Sequence, residues 1–231
     1  MPKRRMQPLI AWRALRRLIA DPEQTQEVFT VIRALSGPAL ENGLERFKRT
    51  EIGQTILRER RNLLDTLTDR EALAALPADS LGRHYLAFVT RENITAEGLV
   101  EASAEDFDYD AMDSDLALYG TRQRDMHDLW HTLTNYGRDT LGEVCLLAFT
   151  YAQTRNRGIG AICLAGIRQL RPVYGREVTS AAWQAYRDGK RAAWLPGQDW
   201  EALLALPIAD VRAQLGISEP NLYRELHAQP A

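Results

Sequence analysis

No single straight helix can bring Glu143 to His127 and His131, and this conflict constrains the fold more than any other feature of the sequence. The stretch from His127 to Glu143 reads HDLWHTLTNYGRDTLGE and holds two of the four histidines in the chain. His127 and His131 stand one helical turn apart, so both imidazoles project from one face and can share one metal ion, with Asp128 beside the first. Twelve further steps of about 100° leave Glu143 roughly 120° around the axis from His131. A His, Asp, His, Glu cluster therefore requires the helix to break and fold back. Asn135-Tyr136-Gly137 supplies the break, because Asn and Gly most readily take the left-handed conformation that ends a helix, and a second helix can start at Thr140.

The same residues have plainer roles. Thr140-Leu141-Gly142-Glu143 matches a capping box, in which Glu143 only bonds backbone at a helix start. Asp128 can be an ordinary surface acid paired with Arg124, one turn before it. Spacing alone leaves the two accounts open.

No run of alternating β-branched residues occurs in the chain, so the expected class is all-α. With 231 residues and no Pro/Gly/Ser-rich linker, the sequence predicts a single helical domain of about eight to ten helices, with a helix-turn-helix carrying the metal site. It divides into a basic amphipathic segment over 1–20, the helical metal-binding domain over 21–217 and a frayed tail over 218–231. Hydrophobic content of 45% is ordinary, and no apolar run approaches the roughly 18 residues of a spanning helix. A net charge of -2 gives no attraction to nucleic acid, and no nucleic-acid motif accompanies it. Cys145 and Cys163 lack zinc-type spacing and read as small buried hydrophobes.

Residues 1–20 carry basic residues and no acid, with Leu9, Trp12, Leu15, Leu18 and Ile19 against Arg13, Arg16 and Arg17. Pro8 can open a short amphipathic helix there, lying on anionic lipid or docking on the domain. Asp21-Pro22-Glu23 marks the next helix start, and Gly37-Pro38 its end. Thr68 with Glu71 forms a further candidate capping box, and Asp79 or Ser80 caps the helix that carries His84. The acidic run from Glu105 to Asp115 invites a calcium loop. The pattern fails, because Ala111 stands where glycine is required and Ala117 where the bidentate glutamate belongs. A helix capped by Asp113 or Ser114 should run on to Thr134 and turn both histidines outward. The small residues from Gly158 to Gly166 suit close helix packing, or a groove for a long apolar ligand.

The pattern H-D-x-x-H, eleven residues, then E resembles the motif of the coenzyme Q biosynthesis protein 4 family, which His127, Asp128, His131 and Glu143 fit without a gap. LPADSLGRHYLAF at 76–88 and WQAYRDGKRAAWLPGQDWEALLALPIADVRAQLGI at 183–217 resemble the family too, as does most of the chain from about Leu40 onward. Asn135 departs from the glycine often found near that position, a mild change because Asn also tolerates the left-handed region.

The resemblance implies a metal site of His127, Asp128, His131 and Glu143 in ubiquinone biosynthesis, with zinc as the ion. Its implied task is removal of the C1 carboxyl group of a polyprenylated 4-hydroxybenzoate-type intermediate, with hydroxylation at that carbon. Asp128 is then a ligand or, off the ion, a residue that orients an imidazole or serves as the catalytic proton-transferring group. Hydroxylation is oxidative and zinc has no redox chemistry, so Fe2+ is the alternative ion. The resemblance also implies a prenyl-lipid ligand, a peripheral site at the membrane surface, a homodimer and association with other coenzyme Q biosynthesis proteins. The rival account is a non-catalytic prenyl-lipid-binding scaffold in which the metal only holds two helices together. An HD-type phosphohydrolase fits less well, because His84 and His227 lack a second metal-binding partner set. Arginine far outnumbers lysine, and no long targeting extension precedes the domain, so the expected location is a bacterial cytoplasm, peripheral at the inner membrane face.

Overall fold

Capping side chains set where most of the helices begin. Thr50, Asn62, Asp69, Ser80, Asp113, Asp139, Asn156 and Asp199 each accept a hydrogen bond from a backbone N–H that helix geometry leaves without an intrahelical partner. The structure, a computed structural model, describes residues 6–21, 25–94 and 113–228. In chain order the helices are α1 (Pro8–Ala20), α2 (Thr25–Leu35), α3 (Ala39–Phe47), α4 (Glu51–Glu59), α5 (Leu63–Thr68), α6 (Arg70–Ala75), α7 (Leu81–Arg91) and α8 (Ser114–Asp125). They continue as α9 (His127–Thr134), α10 (Thr140–Thr154), α11 (Arg157–Tyr174), α12 (Glu177–Arg191), α13 (Trp200–Leu203), α14 (Ile208–Leu215) and α15 (Asn221–His227).

Among the described residues there is no strand, only an isolated bridge between Ser80 and Pro207, as an all-α sequence predicts. Several of the helices are single turns or little more, ended by a left-handed residue such as Arg60 or by an extended one such as Leu76. No described helix is long and apolar enough to cross a membrane.

The centre of the fold is α10. Leu141, Val144, Cys145, Leu146, Ala148, Phe149 and Ala152 are buried on nearly every side of it, and it packs most extensively on α12 and α11. Gly189 of α12 permits that approach: a Cβ there would sit 2.7 Å from the Phe149 carbonyl oxygen. The small residues of α11 serve packing in the same way. Gly158 meets the backbone of Val31 and Ile32 in α2, and Gly166 meets Val144 of α10. Both cysteines are buried and free, as expected of small hydrophobes. Around this centre lie a smaller cluster built from α3, α4 and α8, and another joining α1, α2 and α11.

Four details depart from the sequence expectation. Asp69, not Thr68, caps α6, while the Thr68 hydroxyl donates back to the Leu64 carbonyl. The helix expected from Asp113 to Thr134 is interrupted at Met126, whose ψ of 1° takes it out of the helical range, so α8 and α9 are separate pieces. Pro172, expected as a helix breaker to close this stretch together with Gly175, lies inside α11, which runs on to Tyr174 before Gly175 ends it. Residues 218–228 are not frayed: Leu222, Tyr223 and Leu226 share one face of α15, and Tyr223 and Leu226 are buried against the main core. The helix start proposed at Pro22 and Glu23 and the acidic run from Glu105 to Met112 lie outside the described residues.

One buried ion pair locks the C-terminal third to α8. Arg122, with only 1% of its side chain exposed, donates to both oxygens of Glu201 at 2.6 and 2.9 Å and to the Arg61 carbonyl at 3.2 Å. Burial pushes the Glu201 carboxyl up, but the Arg122 hydrogen bond and charge outweigh it and hold the group below its ordinary value. A carboxylate with a depressed folded pKa adds stability that is complete above the unfolded value near 4.5 and is lost as pH falls through the folded one. Glu201→Gln is expected to cost about 3 kcal/mol in urea unfolding at pH 7, because it strands the buried guanidinium. The difference from wild type should shrink as pH is lowered through and below 4.5.

Candidate metal centre

Asn135 makes the break that the sequence requires. It ends α9 in the left-handed conformation, φ 59° and ψ 20°, and the chain reverses through Tyr136, Gly137 and Arg138 into α10. Asp139 then caps α10, its Oδ1 accepting from the N–H groups of Leu141 and Gly142 at 3.1 and 3.0 Å. With Asp139 as the cap in place of Thr140, the capping-box acid position falls on Gly142, so Glu143 stands outside that box and its carboxylate reaches toward the histidines. Gly142 is required at its position, since a Cβ there would collide with the Gly137 carbonyl oxygen. Without that contact the turn cannot close tightly enough to return Glu143.

Two side chains from distant sequence hold the turn. Arg212 of α14 donates to the carbonyls of Leu133 and Thr132 at 2.8 and 3.0 Å and to Asn135 Oδ1 at 2.7 Å. A cation at these orphan carbonyls also suits the negative end of the helix dipole. The Tyr223 hydroxyl of α15 donates to Asp139 Oδ2 at 2.6 Å and accepts from the Gly137 N–H at 3.0 Å. Spacing gave no signal for Arg212, Asp139 or Tyr223, since each acts on the site through backbone it supports.

Leu129, Trp130 and Leu133 carry α9 into the core, and the histidines occupy the adjoining face. The expectation that both imidazoles face outward holds for His127, about one-third exposed, and fails for His131. The latter is buried and stacks on Phe88 with ring centroids 5.7 Å apart. His131 Nδ1 lies 3.0 Å from the Tyr136 carbonyl, which can only accept, so Nδ1 carries the proton and Nε2 presents a lone pair. That Nε2 is buried without a hydrogen-bond partner. His127 Nδ1 is 3.1 Å from Asp128 Oδ1, so it donates to the carboxylate and likewise frees its Nε2.

Both Nε2 atoms approach Glu143, His131 at 3.4 Å from Oε1 and His127 at 3.9 Å from Oε2. Two lone-pair nitrogens facing a carboxylate repel it unless a cation lies between them. A tetrahedral zinc ion with bonds of about 2.1 Å holds its ligands about 3.4 Å apart, so the residues present fit such an ion. His127, Asp128 and His131 by themselves form a group able to hold a metal, their ligand atoms all within 4.8 Å. His84 and His227 stand outside this group and line a neighbouring cleft of about 490 Å³, whose wall also includes His131, Phe88, Arg91 and Arg138.

The fold and site define an all-α protein with a histidine-carboxylate cluster on a helix-turn-helix. A profile of the family described as coenzyme Q (ubiquinone) biosynthesis protein Coq4 matches residues 5–221, and the chain belongs to that family. A ubiquinone biosynthesis protein COQ4 homolog, mitochondrial, from Drosophila ananassae is 30% identical over 88% of this chain and 74% of its own length. A ubiquinone biosynthesis protein coq4, mitochondrial, from Aspergillus flavus is 31% identical over 75% of this chain, which spans 59% of that relative. The crystal structure of a Nostoc punctiforme protein superposes with a TM-score of 0.69 at 20% identity, covering 93% of this chain and 100% of that one, and so shares the fold. The expected bacterial cytoplasmic location, peripheral at the inner membrane face, is overturned by the relatives, which are named as mitochondrial proteins.

In the metal-free protein a proton takes the cation's place. Burial pushes the His127 imidazole down, but the Asp128 hydrogen bond and the charges of Asp128 and Glu143 outweigh it and raise its pKa. Burial likewise opposes ionisation of Asp128 and Glu143, and the histidines overcome it and lower both. A raised imidazole pKa adds stability that is complete below the unfolded value near 6.5 and is lost as pH rises through the folded one. Depressed carboxyls add stability that is lost as pH falls below about 4. Metal-free protein should therefore lose thermal stability as pH is raised above 6.5, and His127→Gln should remove that dependence. Melting temperatures in chelator across roughly pH 5 to 9 are the check.

Proposed function

We propose that this protein acts in ubiquinone biosynthesis as a metal-dependent enzyme. The reaction is loss of the C1 carboxyl group from a polyprenylated 4-hydroxybenzoate-type intermediate, coupled to hydroxylation at that carbon. The observation that carries the proposal is the pair of Nε2 lone pairs, on His127 and His131, directed at the Glu143 carboxylate beside an open cleft. His127, His131 and Glu143 would hold the ion directly, with Asp128 as a fourth ligand or as the group that fixes His127. Bound zinc would supply positive charge to a substrate carboxylate or phenolate oxygen, and Fe2+ in the same ligands would add redox capacity.

The chain's own residues account for the rest. The Tyr136 carbonyl keeps the proton of His131 on Nδ1, and Asp128 does the same for His127, so neither Nε2 is blocked. Where Asp128 stays off the ion, its carboxylate, which accepts the hydrogen bond from His127 Nδ1, is the catalytic group placed to take up and return a proton. Arg91 and Arg138 line the cleft and offer positive charge to an anionic ring substituent. Loss of carbon dioxide leaves an electron pair on the ring carbon. A proton quenches it in simple decarboxylation, whereas hydroxylation at the same carbon draws oxygen and oxidising equivalents from an external oxidant such as O2. A prenylated substrate implies work at a membrane surface, and the proposal includes a homodimer that associates with other coenzyme Q biosynthesis proteins.

Purified protein, assayed for metal, should release the C1 carboxyl of a prenylated 4-hydroxybenzoate in proportion to bound metal. His131→Ala and Glu143→Ala should each lower the rate by at least about a hundredfold and weaken metal binding. Tight binding of metal and prenyl lipid without carbon dioxide release, with or without oxygen, would replace the enzyme with a lipid-presenting scaffold.

A further inference from the structure

Helix α1 packs on the body through small residues and turns its large apolar ones outward. Ala11 and Ala14 are its buried side chains, with Ala14 set against Val31 of α2 and Ile162 of α11, while Leu15 and Leu18 are partly buried. Leu9, Trp12 and Ile19 are 73%, 56% and 45% exposed. Successive steps of about 100° place Ile19, Trp12, Arg16, Leu9 and Arg13 in an outward arc of roughly 120°, opposite Ala14. Were attachment to the body the only task of α1, the larger side chains would gain most by facing inward.

The charge on this face is of one sign. No acid occurs in α1, and Arg17 is held by Glu27 of α2. Arg16 lies over the Trp12 ring at 4.9 Å, and neither it nor Arg13 has an ion-pair partner among the described residues. An exposed face of Leu, Ile and Trp with unneutralised arginines matches the chemistry of an anionic bilayer surface. Apolar side chains enter the acyl boundary, Trp sits at headgroup level and guanidinium groups meet lipid phosphates. A protein partner would have to supply acidic and apolar groups in the same 13-residue register.

We propose that α1 lies flat on a bilayer containing anionic phospholipid, with Leu9, Trp12 and Ile19 inserted and Arg13 and Arg16 on the phosphates. The inference rests on the membrane-surface part of the proposed function, and its test reads binding rather than turnover. Full-length, metal-loaded protein should co-float with phosphatidylcholine vesicles containing roughly one-third phosphatidylglycerol, and only weakly with phosphatidylcholine alone, at about 0.1 M salt. The double variant Arg13→Glu, Arg16→Glu should weaken binding to the anionic vesicles by at least about tenfold. Trp12→Gln should weaken binding to both vesicle types. Circular dichroism and turnover of a detergent-solubilised substrate should stay unchanged in all three proteins, because none of these residues touches the metal cluster. Equal binding by wild type and the charge-reversed variant would overturn the proposal. So would variants that dissociate a dimer in analytical ultracentrifugation while vesicle binding persists, which would make this face a contact between two copies. Failure to release carbon dioxide with vesicle binding intact would count against the enzyme and leave α1 at the lipid surface.

Discussion

The reversal of the chain at Asn135 is the constraint on which the rest depends. Ending a helix inside a protein strips carbonyls of their partners, and starting another strips N–H groups, so a five-residue turn between two buried helices concentrates unsatisfied polar groups. Here each is met. Arg212 takes the carbonyls that α9 leaves open, Asp139 takes the N–H groups at the start of α10, and Tyr223 ties Asp139 to the Gly137 N–H. What looks like a loop at the edge of the cluster is a hydrogen-bonded joint among α9, α10, α14 and α15.

That joint sets two short-range geometries at once. It fixes how far Glu143 stands from the imidazoles, and through the Tyr136 carbonyl it fixes which nitrogen of His131 bears the proton. Glu143 rides on α10, the helix most enclosed by others, whereas the histidines ride on the shorter α9. A ligand set divided in this way depends on packing between the two helices, so substitutions in the α10 and α12 interface reach the cluster without touching it. Gly189 and Gly142 are the positions where this dependence is sharpest, because each admits backbone too close for any side chain.

The helix-turn-helix was legible because its signals are local. The i and i+4 histidines, the residues Asn135 and Gly137, and the phase error of Glu143 all lie within one short stretch. The all-α class followed from the absence of strand alternation. The burial of His131 was not legible, since it depends on Phe88 of α7, a contact that periodicity within α9 cannot report. Nor was the order at residues 218–228, where α15 packs on α10 and α12 and Tyr223 also meets Tyr136 of the turn. Sequence spacing places the cap at Thr140, whereas Asp139, one residue earlier, takes it, because adjacent residues offer equivalent side-chain acceptors and only the path of the turn decides between them. The compartment was misjudged because an arginine-rich composition carries no physical signal for one.

The joint also gives the metal cluster a place in time. Its two clamps, Arg212 and Tyr223, follow the histidines by some 80 and 90 residues in a chain that a ribosome extends from the N-terminus at about 5 to 20 residues per second. For the seconds between emergence of α9 and emergence of α15, His127, His131 and Glu143 exist as nearby ligands with no fixed turn between them. If the cluster holds an ion as proposed, selective capture waits until synthesis has passed Tyr223, and a nascent or C-terminally clipped chain would present a loose chelator in place of a shaped site.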